Sequence, residues 1–144
     1  MLNKKISFFY IIFILSLSSI YSQEIGKIFT ASEANSLFGK VNESTIVSNS
    51  VLNEWLNSTN DKVMFKLDKD NLIVLSDHRD LIYSNLSYTE SNEVFHMYSK
   101  SKVLELLKNG GEANSYFENR SNVFSITNGN YTLEKSTPCP PYCP

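Results

Sequence analysis

The sequence predicts a small α+β domain, in which an antiparallel sheet of about five or six strands carries about three short helices on one face. Several segments combine a capping residue with apolar positions at helical spacing. Between them lie short apolar or alternating runs, bounded by polar turns, as is typical of antiparallel strands. An Asn-Gly pair between two such runs indicates a tight hairpin. Of the 144 residues, 42% are hydrophobic, which is enough for one packed core and argues against a disordered chain.

The predicted helices are defined by their caps and by one apolar face each. Thr30 and Glu33 have the spacing of a capping box, in which the two residues satisfy each other's free backbone donors. In the second helix, Trp55 belongs to an apolar stripe, so we interpret it as a core anchor rather than as a ligand platform. The predicted spans are 31–38, then from Ser48 or Ser50 to about 56, and from Ser99 or Ser101 to the glycines 110–111.

The predicted strands follow from shorter patterns. Residues 63–67 alternate between apolar and intervening positions, which suits a half-buried strand. Residues 72–75 are continuously apolar, which favours a central strand covered on both faces. The two residues Asn128-Gly129 tolerate the positive φ angles of a two-residue hairpin turn. The predicted strands are 63–67, 72–75, 81–83, 94–98, 122–127 and 130–135.

The chain divides into a signal peptide over residues 1–22, a single domain over 23–136 and a Pro/Cys-rich tail over 137–144. Lys4 and Lys5 precede a short apolar run over residues 6–17, as in a secretory signal peptide. This run is shorter than the roughly 20 residues that span a bilayer, although an uncleaved anchor remains an alternative. We expect cleavage after residue 22 and a secreted or periplasmic protein that is no longer bound to the membrane.

Charge and composition exclude several partners and indicate a source. Without the two signal-peptide lysines, 11 basic and 15 acidic residues remain, which excludes the basic footprint of a nucleic-acid-binding protein. The sequence Tyr21-Ser22-Gln23-Glu24 and the abundance of Asn, Ser, Ile and Lys resemble secreted proteins of the Bacteroidota. This resemblance implies export, and it implies no particular activity.

The chain carries few signatures of catalysis or of cofactor binding. None of its five glycines has the spacing of a phosphate-binding loop, and the nucleophile-elbow motif of hydrolases is missing. His78 lies in a charged turn, where we interpret it as solvated, and the alternative is a catalytic pair with Asp77 or Asp80. His96 alternates with its apolar neighbours on a strand, so we place it at the strand surface or edge rather than in a metal site. We therefore expect no cofactor.

The tail is the most unusual segment, because all four prolines and both cysteines lie within residues 138–144. Proline removes a backbone donor and fixes φ, so we expect a stiff, extended appendage beyond the last strand. One interpretation is a Cys139–Cys143 disulfide, formed in an oxidising compartment. Because an extended segment of this length is about 12 Å long and bridged Cα atoms lie about 5.5 Å apart, the bridge requires a turn, with a cis bond at Pro141 as one solution.

Two other interpretations of the tail remain open. The motif Cys-Pro-x-x-Cys-Pro resembles the copper-binding motif of the copper chaperones that help to assemble cytochrome oxidase. The resemblance implies Cu(I) binding or thiol redox chemistry at Cys139 and Cys143, with His78 or His96 as the only histidines that could complete the metal site. Free thiols or intermolecular disulfides are the third interpretation.

The leading hypothesis is a monomeric, non-enzymatic binding domain that recognises a protein, a surface component or a small ligand. In this hypothesis the disulfide holds Tyr142 at a rigid interaction tip. The competing hypothesis is a small secreted enzyme whose catalytic residues are distant in sequence. A cleft that gathers His78, His96 and two carboxylates would favour the enzyme.

Overall fold

The computed structural model describes residues 23–90, 92–121 and 123–144, so the predicted signal peptide lies outside the described residues. The described residues form helices together with strands that pair only in antiparallel fashion, which confirms the predicted α+β class. In chain order they are β1 (Lys27–Thr30), α1 (Ala31–Phe38), β2 (Val41–Ser48), α2 (Asn49–Asn57), β3 (Lys62–Asp68), β4 (Asn71–Ser76), β5 (Leu81–Ser84), β6 (Phe95–Ser99), α3 (Lys100–Gly110), β7 (Asn114–Arg120), β8 (Phe124–Asn128), β9 (Tyr131–Glu134) and β10 (Thr137–Cys139).

Within the described residues, the strands form two antiparallel sheets of five strands each, where the sequence predicted one sheet. Sheet I has the order β1-β9-β8-β7-β2, and sheet II has the order β10-β6-β3-β4-β5. The sheets pack face to face, because Phe65 of sheet II lies 5.1 Å from Phe117 and 6.1 Å from Phe124 of sheet I, measured between ring centroids. The main core is therefore the layer between the sheets.

The three helices in the described part of the chain are distributed around the two sheets, whereas the sequence predicted them on one face. Trp55 of α2 stacks on Tyr83 of sheet II at 4.7 Å and also approaches Phe117 of sheet I, so α2 bridges the two sheets. Val103 and Leu106 bring α3 into the same core. Helix α1 instead lies on sheet I beside β1 and β9. Trp55 is thus part of the core, as the sequence predicted.

Local signals placed the helices accurately. The α1 span is as predicted, and the Thr30–Glu33 capping box is formed. Ser48 caps α2 through its hydroxyl. Ser99 precedes α3 without a side-chain cap, since its hydroxyl accepts a hydrogen bond from the Ile25 amide at 2.7 Å. No helix within residues 23–90, 92–121 and 123–144 is long and apolar enough to cross a membrane.

The hairpin between β8 and β9 is shifted by one residue from the predicted turn. Asn128 pairs with Tyr131, so the turn residues are Gly129 and Asn130. Gly129 has a φ of +56°, and a Cβ on it would lie 2.7 Å from the carbonyl oxygen of Gly110.

Asn128 is not a turn residue, and its fully buried side-chain amide binds the segment after α3. It accepts a hydrogen bond from the Glu112 amide at 3.1 Å and donates to the Asn114 carbonyl at 2.8 Å. The predicted first residue of β8, Asn122, lies outside the described residues.

The tail is built into the fold, which corrects the expectation of an extended appendage. Thr137–Cys139 forms β10, which pairs with β6 at the edge of sheet II. Pro138 lies opposite His96 in this pair. Proline is tolerated there because an edge strand has one side without hydrogen-bonding partners.

Candidate functional site

The candidate site is the tip loop, defined here as residues 139–144 together with the side chain of Arg79. A disulfide joins Cys139 to Cys143, with the two Cα atoms 4.8 Å apart. The chain turns back on itself as the sequence required, and the Tyr142 amide donates to the Pro138 carbonyl at 3.2 Å. The bond before Pro141 is cis, and so is the bond before Pro140. No cysteine among the described residues is free.

Arg79 anchors the tip loop from the turn between β4 and β5. Its Nη1 donates to the Cys139 carbonyl at 3.2 Å and lies 3.3 Å from the Cys139 sulfur. The same nitrogen lies 4.0 Å from the Cys143 sulfur. The guanidinium also stacks over the Phe95 ring at 5.2 Å, and its Nη2 donates to the Glu93 carbonyl at 3.4 Å. One cation is therefore held against both sulfurs of the disulfide.

Burial changes sharply across the tip loop. Cys139 is fully buried against the outer face of sheet II, whereas Cys143 and Pro144 are exposed. The Tyr142 side chain, the predicted interaction tip, is 65% exposed. The loop thus has a buried base and an exposed aromatic end. The apolar side chains around the base are Met64, Ile73, Leu75, Phe95 and Met97.

The two histidines lie in different environments. His96 faces the space between the sheets, where its ring stacks on Phe124 at 5.1 Å and its Nδ1 lies 3.0 Å from the Ser136 hydroxyl. Burial lowers the pKa of His96 below its usual value. His96 is therefore half-buried rather than at the strand surface, and it lies on the opposite face of sheet II from Cys139. His78 is exposed in the turn that precedes Arg79, as predicted.

The geometry bears on the copper interpretation. Within residues 23–90, 92–121 and 123–144, no group of three or more His, Cys, Asp or Glu side chains is placed to hold a metal ion. The two sulfurs are bonded to each other, and in that state they offer no thiolate to a soft cation.

The geometry also bears on the enzyme hypothesis. His96 lines a pocket of about 290 Å³ beside Phe38, Val123, Lys135, Ser136 and Pro138. None of these described lining residues is acidic, and His78 is not among them. The structure therefore does not bring the two histidines and a carboxylate pair together in this pocket.

A cluster of buried charges on sheet I was missed by the sequence analysis. Arg120 donates through Nη2 to Glu118 at 3.0 Å, and its Nε lies 3.5 Å from a carboxylate oxygen of Glu134. Glu118 also accepts from the hydroxyls of Ser125 and Thr127. The alternation of β7 could have suggested that Glu118 and Arg120 share a face, but nothing local indicates that this face is buried.

Glu134 is the poorly satisfied member of the cluster. Its side chain is fully buried, and neither carboxylate oxygen accepts a hydrogen bond from the residues that the structure describes. Burial, together with the neighbouring Glu118 charge, raises the pKa of Glu134 to about 7, against the opposing attraction of Arg120. Since no part of this carboxyl group is exposed, a substrate cannot reach it, and we assign the cluster a structural role.

The chain matches no protein-family model, no curated protein and no solved structure. The functional argument therefore rests on the geometry of the tip loop.

Proposed function

We propose that this protein is an exported, monomeric binding domain that recognises its partner through the tip loop. The sequence of residues 1–22 supports export, and a disulfide fits an oxidising compartment such as the periplasm or the cell exterior. The partner is a protein or another surface component. Binding requires no cofactor and no catalytic step.

The observation that carries this proposal is the exposed Tyr142 side chain on an anchored loop. The loop is held by β10 at its base, by the disulfide across its ends and by Arg79 underneath. Tyrosine offers a large contact area with few rotatable bonds, and it is enriched among the residues that dominate binding energy. Because the loop is already ordered, binding loses less conformational entropy than it would with a free tail.

The test uses a photo-crosslinking benzophenone amino acid at position 142 of the exported chain, in the cells that make the protein. Benzophenone inserts into C–H bonds of proteins, glycans and lipids, so the test does not assume the class of partner. We expect one discrete adduct, which disappears when Cys139 and Cys143 are both replaced by Ser. The matched control carries the crosslinker at Tyr116, which is 45% exposed on sheet I. Equal crosslinking from both positions, or none from position 142, would refute the tip loop as the recognition element.

The export step has its own test. Intact-mass measurement of the exported protein should give a chain that begins near Gln23. Retention of residues 1–22 in a membrane fraction would contradict this expectation and support the uncleaved anchor.

A further inference from the structure

The environment of the disulfide is asymmetric in two ways that matter for its chemistry. Arg79 places a permanent positive charge 3.3 Å from the Cys139 sulfur and 4.0 Å from the Cys143 sulfur. A cation at this distance stabilises a thiolate relative to the neutral thiol. The cysteine farther from Arg79 is the more exposed one, because Cys143 is exposed and Cys139 is fully buried.

These two asymmetries assign different roles to the two sulfurs. An incoming thiolate needs access, and Cys143 is the exposed cysteine of the pair, whereas Cys139 is fully buried. The sulfur that departs needs its new negative charge stabilised, and Cys139 is the one closest to Arg79. Exchange is faster when the leaving thiolate is more stable. The attacked sulfur and the leaving sulfur are thus each in the environment that their role requires.

We propose that the Cys139–Cys143 bridge is an exchange-active disulfide that accepts two electrons from a dithiol, with Cys143 as the attacked sulfur and Cys139 as the leaving group. A substrate thiolate forms a bond to the Cys143 sulfur. The bond between Cys143 and Cys139 breaks, and its electron pair stays on Cys139 beside Arg79. The second thiolate of the substrate then attacks the substrate sulfur that is bonded to Cys143. This step releases Cys143 as a thiolate, which takes a proton from water. The substrate dithiol becomes a disulfide, and the protein disulfide becomes a dithiol.

Arg79 is suited to this role because its position does not depend on the sulfurs alone. It also donates to the Cys139 and Glu93 carbonyls and stacks on Phe95. These contacts keep the guanidinium in place when the disulfide opens. The apolar side chains around Cys139 act against an ion there, so we expect the thiolate to depend on this single cation.

The test is the rate at which dithiothreitol reduces the oxidised mature chain. Arg79→Gln should slow reduction by at least about threefold, because the leaving thiolate loses its cation. Arg79→Lys keeps the charge and should restore part of the rate. The control is Lys66→Gln, which removes a cation on the same face of sheet II that pairs with Glu93 at 2.9 Å, and it should leave the rate within about twofold of the wild type.

The direction of the change separates this proposal from a structural role for Arg79. If Arg79 only fastened the loop, its loss would expose the disulfide and make reduction faster. A rate that is unchanged or raised in Arg79→Gln would therefore overturn the proposal. Small thiols need no partner, so this result is independent of the binding function proposed above.

A second measurement locates the attacked sulfur. The reaction of the oxidised chain with glutathione is quenched with acid, and the mixed disulfide is mapped by tandem mass spectrometry. We expect the glutathione adduct on Cys143. An adduct mainly on Cys139 would reverse the assigned roles and refute the proposal.

Discussion

The outer faces of the two sheets are both covered, but they are covered with opposite chemistry. The buried part of the outer face of sheet II is apolar, and the tip loop, Ile25 and Tyr88 pack on it. The outer face of sheet I carries the Glu118–Arg120–Glu134 cluster and the hydroxyls of Ser125, Thr127 and Thr132. Helix α1 covers part of this polar face, where Asn35 accepts from Arg120 at 2.7 Å.

The difference teaches how each face responds to a change. Apolar contacts are non-directional, so the face of sheet II loses stability roughly in proportion to the area removed. Buried charges depend on each partner, because removing one leaves the others desolvated and unpaired. We therefore expect single substitutions in the charge cluster to have the larger effects.

The largest effect should come from Arg120→Ala. This change leaves Glu118 and Glu134 buried together without their cation, and loss of one partner from a buried ion pair costs about 3–5 kcal/mol. Chemical denaturation of the variant gives the change in the free energy of unfolding. The control is Lys102→Ala, which breaks ion pairs with the half-exposed Glu24 and Glu105 and should cost less than about 1 kcal/mol. Similar losses of stability in the two variants would show that the buried charges of sheet I are no more sensitive than exposed ion pairs.

The next effect concerns Glu134 and depends on pH. Its pKa rises from 4.5 in the unfolded chain to about 7 in the folded one. The folded state therefore holds this proton more tightly, and stability is fully present below pH 4.5 and falls as pH rises through about 7. The loss reaches at most about 3 kcal/mol.

Glu134→Gln removes this titration and isolates the effect. We expect the variant to gain stability relative to the wild type above pH 7 and to match it more closely near pH 4.5. Denaturant midpoints measured across this range test the expectation. A difference between the two proteins that does not change with pH would show that Glu134 stays in one protonation state.

The same contrast explains what the sequence could and could not predict. Strand β4 was predicted from its own apolar run, and α1 from its own cap, because both signals are local. Strands β2 and β7 were missed, since polar residues such as Glu118 and Arg120 occupy the face that sheet I buries. The disulfide was one interpretation of the tail, predicted from an oxidising compartment and the presence of only two cysteines. Arg79 could not be predicted, because it lies 60 residues from Cys139 and their contact depends on the fold. Strand β10 was missed because its proline argues against a central strand, and its position at the edge of sheet II depends on the fold.

A smaller effect separates the contribution of the buried Cys139 side chain to stability from the contribution of the disulfide. Cys139→Ser and Cys143→Ser both remove the disulfide, but only the first places a hydroxyl in the apolar cluster around Phe95 and Met97. We expect Cys139→Ser to be less stable than Cys143→Ser by about 0.5–2 kcal/mol, because the new hydroxyl is buried among apolar side chains and Arg79 compensates its desolvation only in part. Thermal unfolding under reducing conditions compares the two variants. Equal stabilities would indicate that Cys139 does not contribute to the core of the face.

The smallest effect tests whether a buried hydroxyl without a hydrogen-bond partner destabilises the outer face of sheet II. The Tyr88 hydroxyl is buried on the outer face and has no hydrogen-bond partner among the described residues, whereas its ring packs edge-on against Phe95. Tyr88→Phe keeps the ring and removes only the unsatisfied hydroxyl. We therefore expect a gain in stability of up to about 1 kcal/mol, since the desolvation cost of that group disappears.

Tyr98→Phe is the matched control for Tyr88→Phe, because it makes the same chemical change on the inner face. The Tyr98 hydroxyl is fully buried and donates to the Phe124 carbonyl at 2.6 Å. Its removal leaves that carbonyl without this donor, so we expect a loss of about 1–3 kcal/mol. Opposite signs for the two substitutions, measured by chemical denaturation, would support hydrogen-bond satisfaction as the deciding factor. A loss of stability in Tyr88→Phe would mean that its hydroxyl has a partner in solution, and the outer face of sheet II would then be less purely apolar than its contacts indicate.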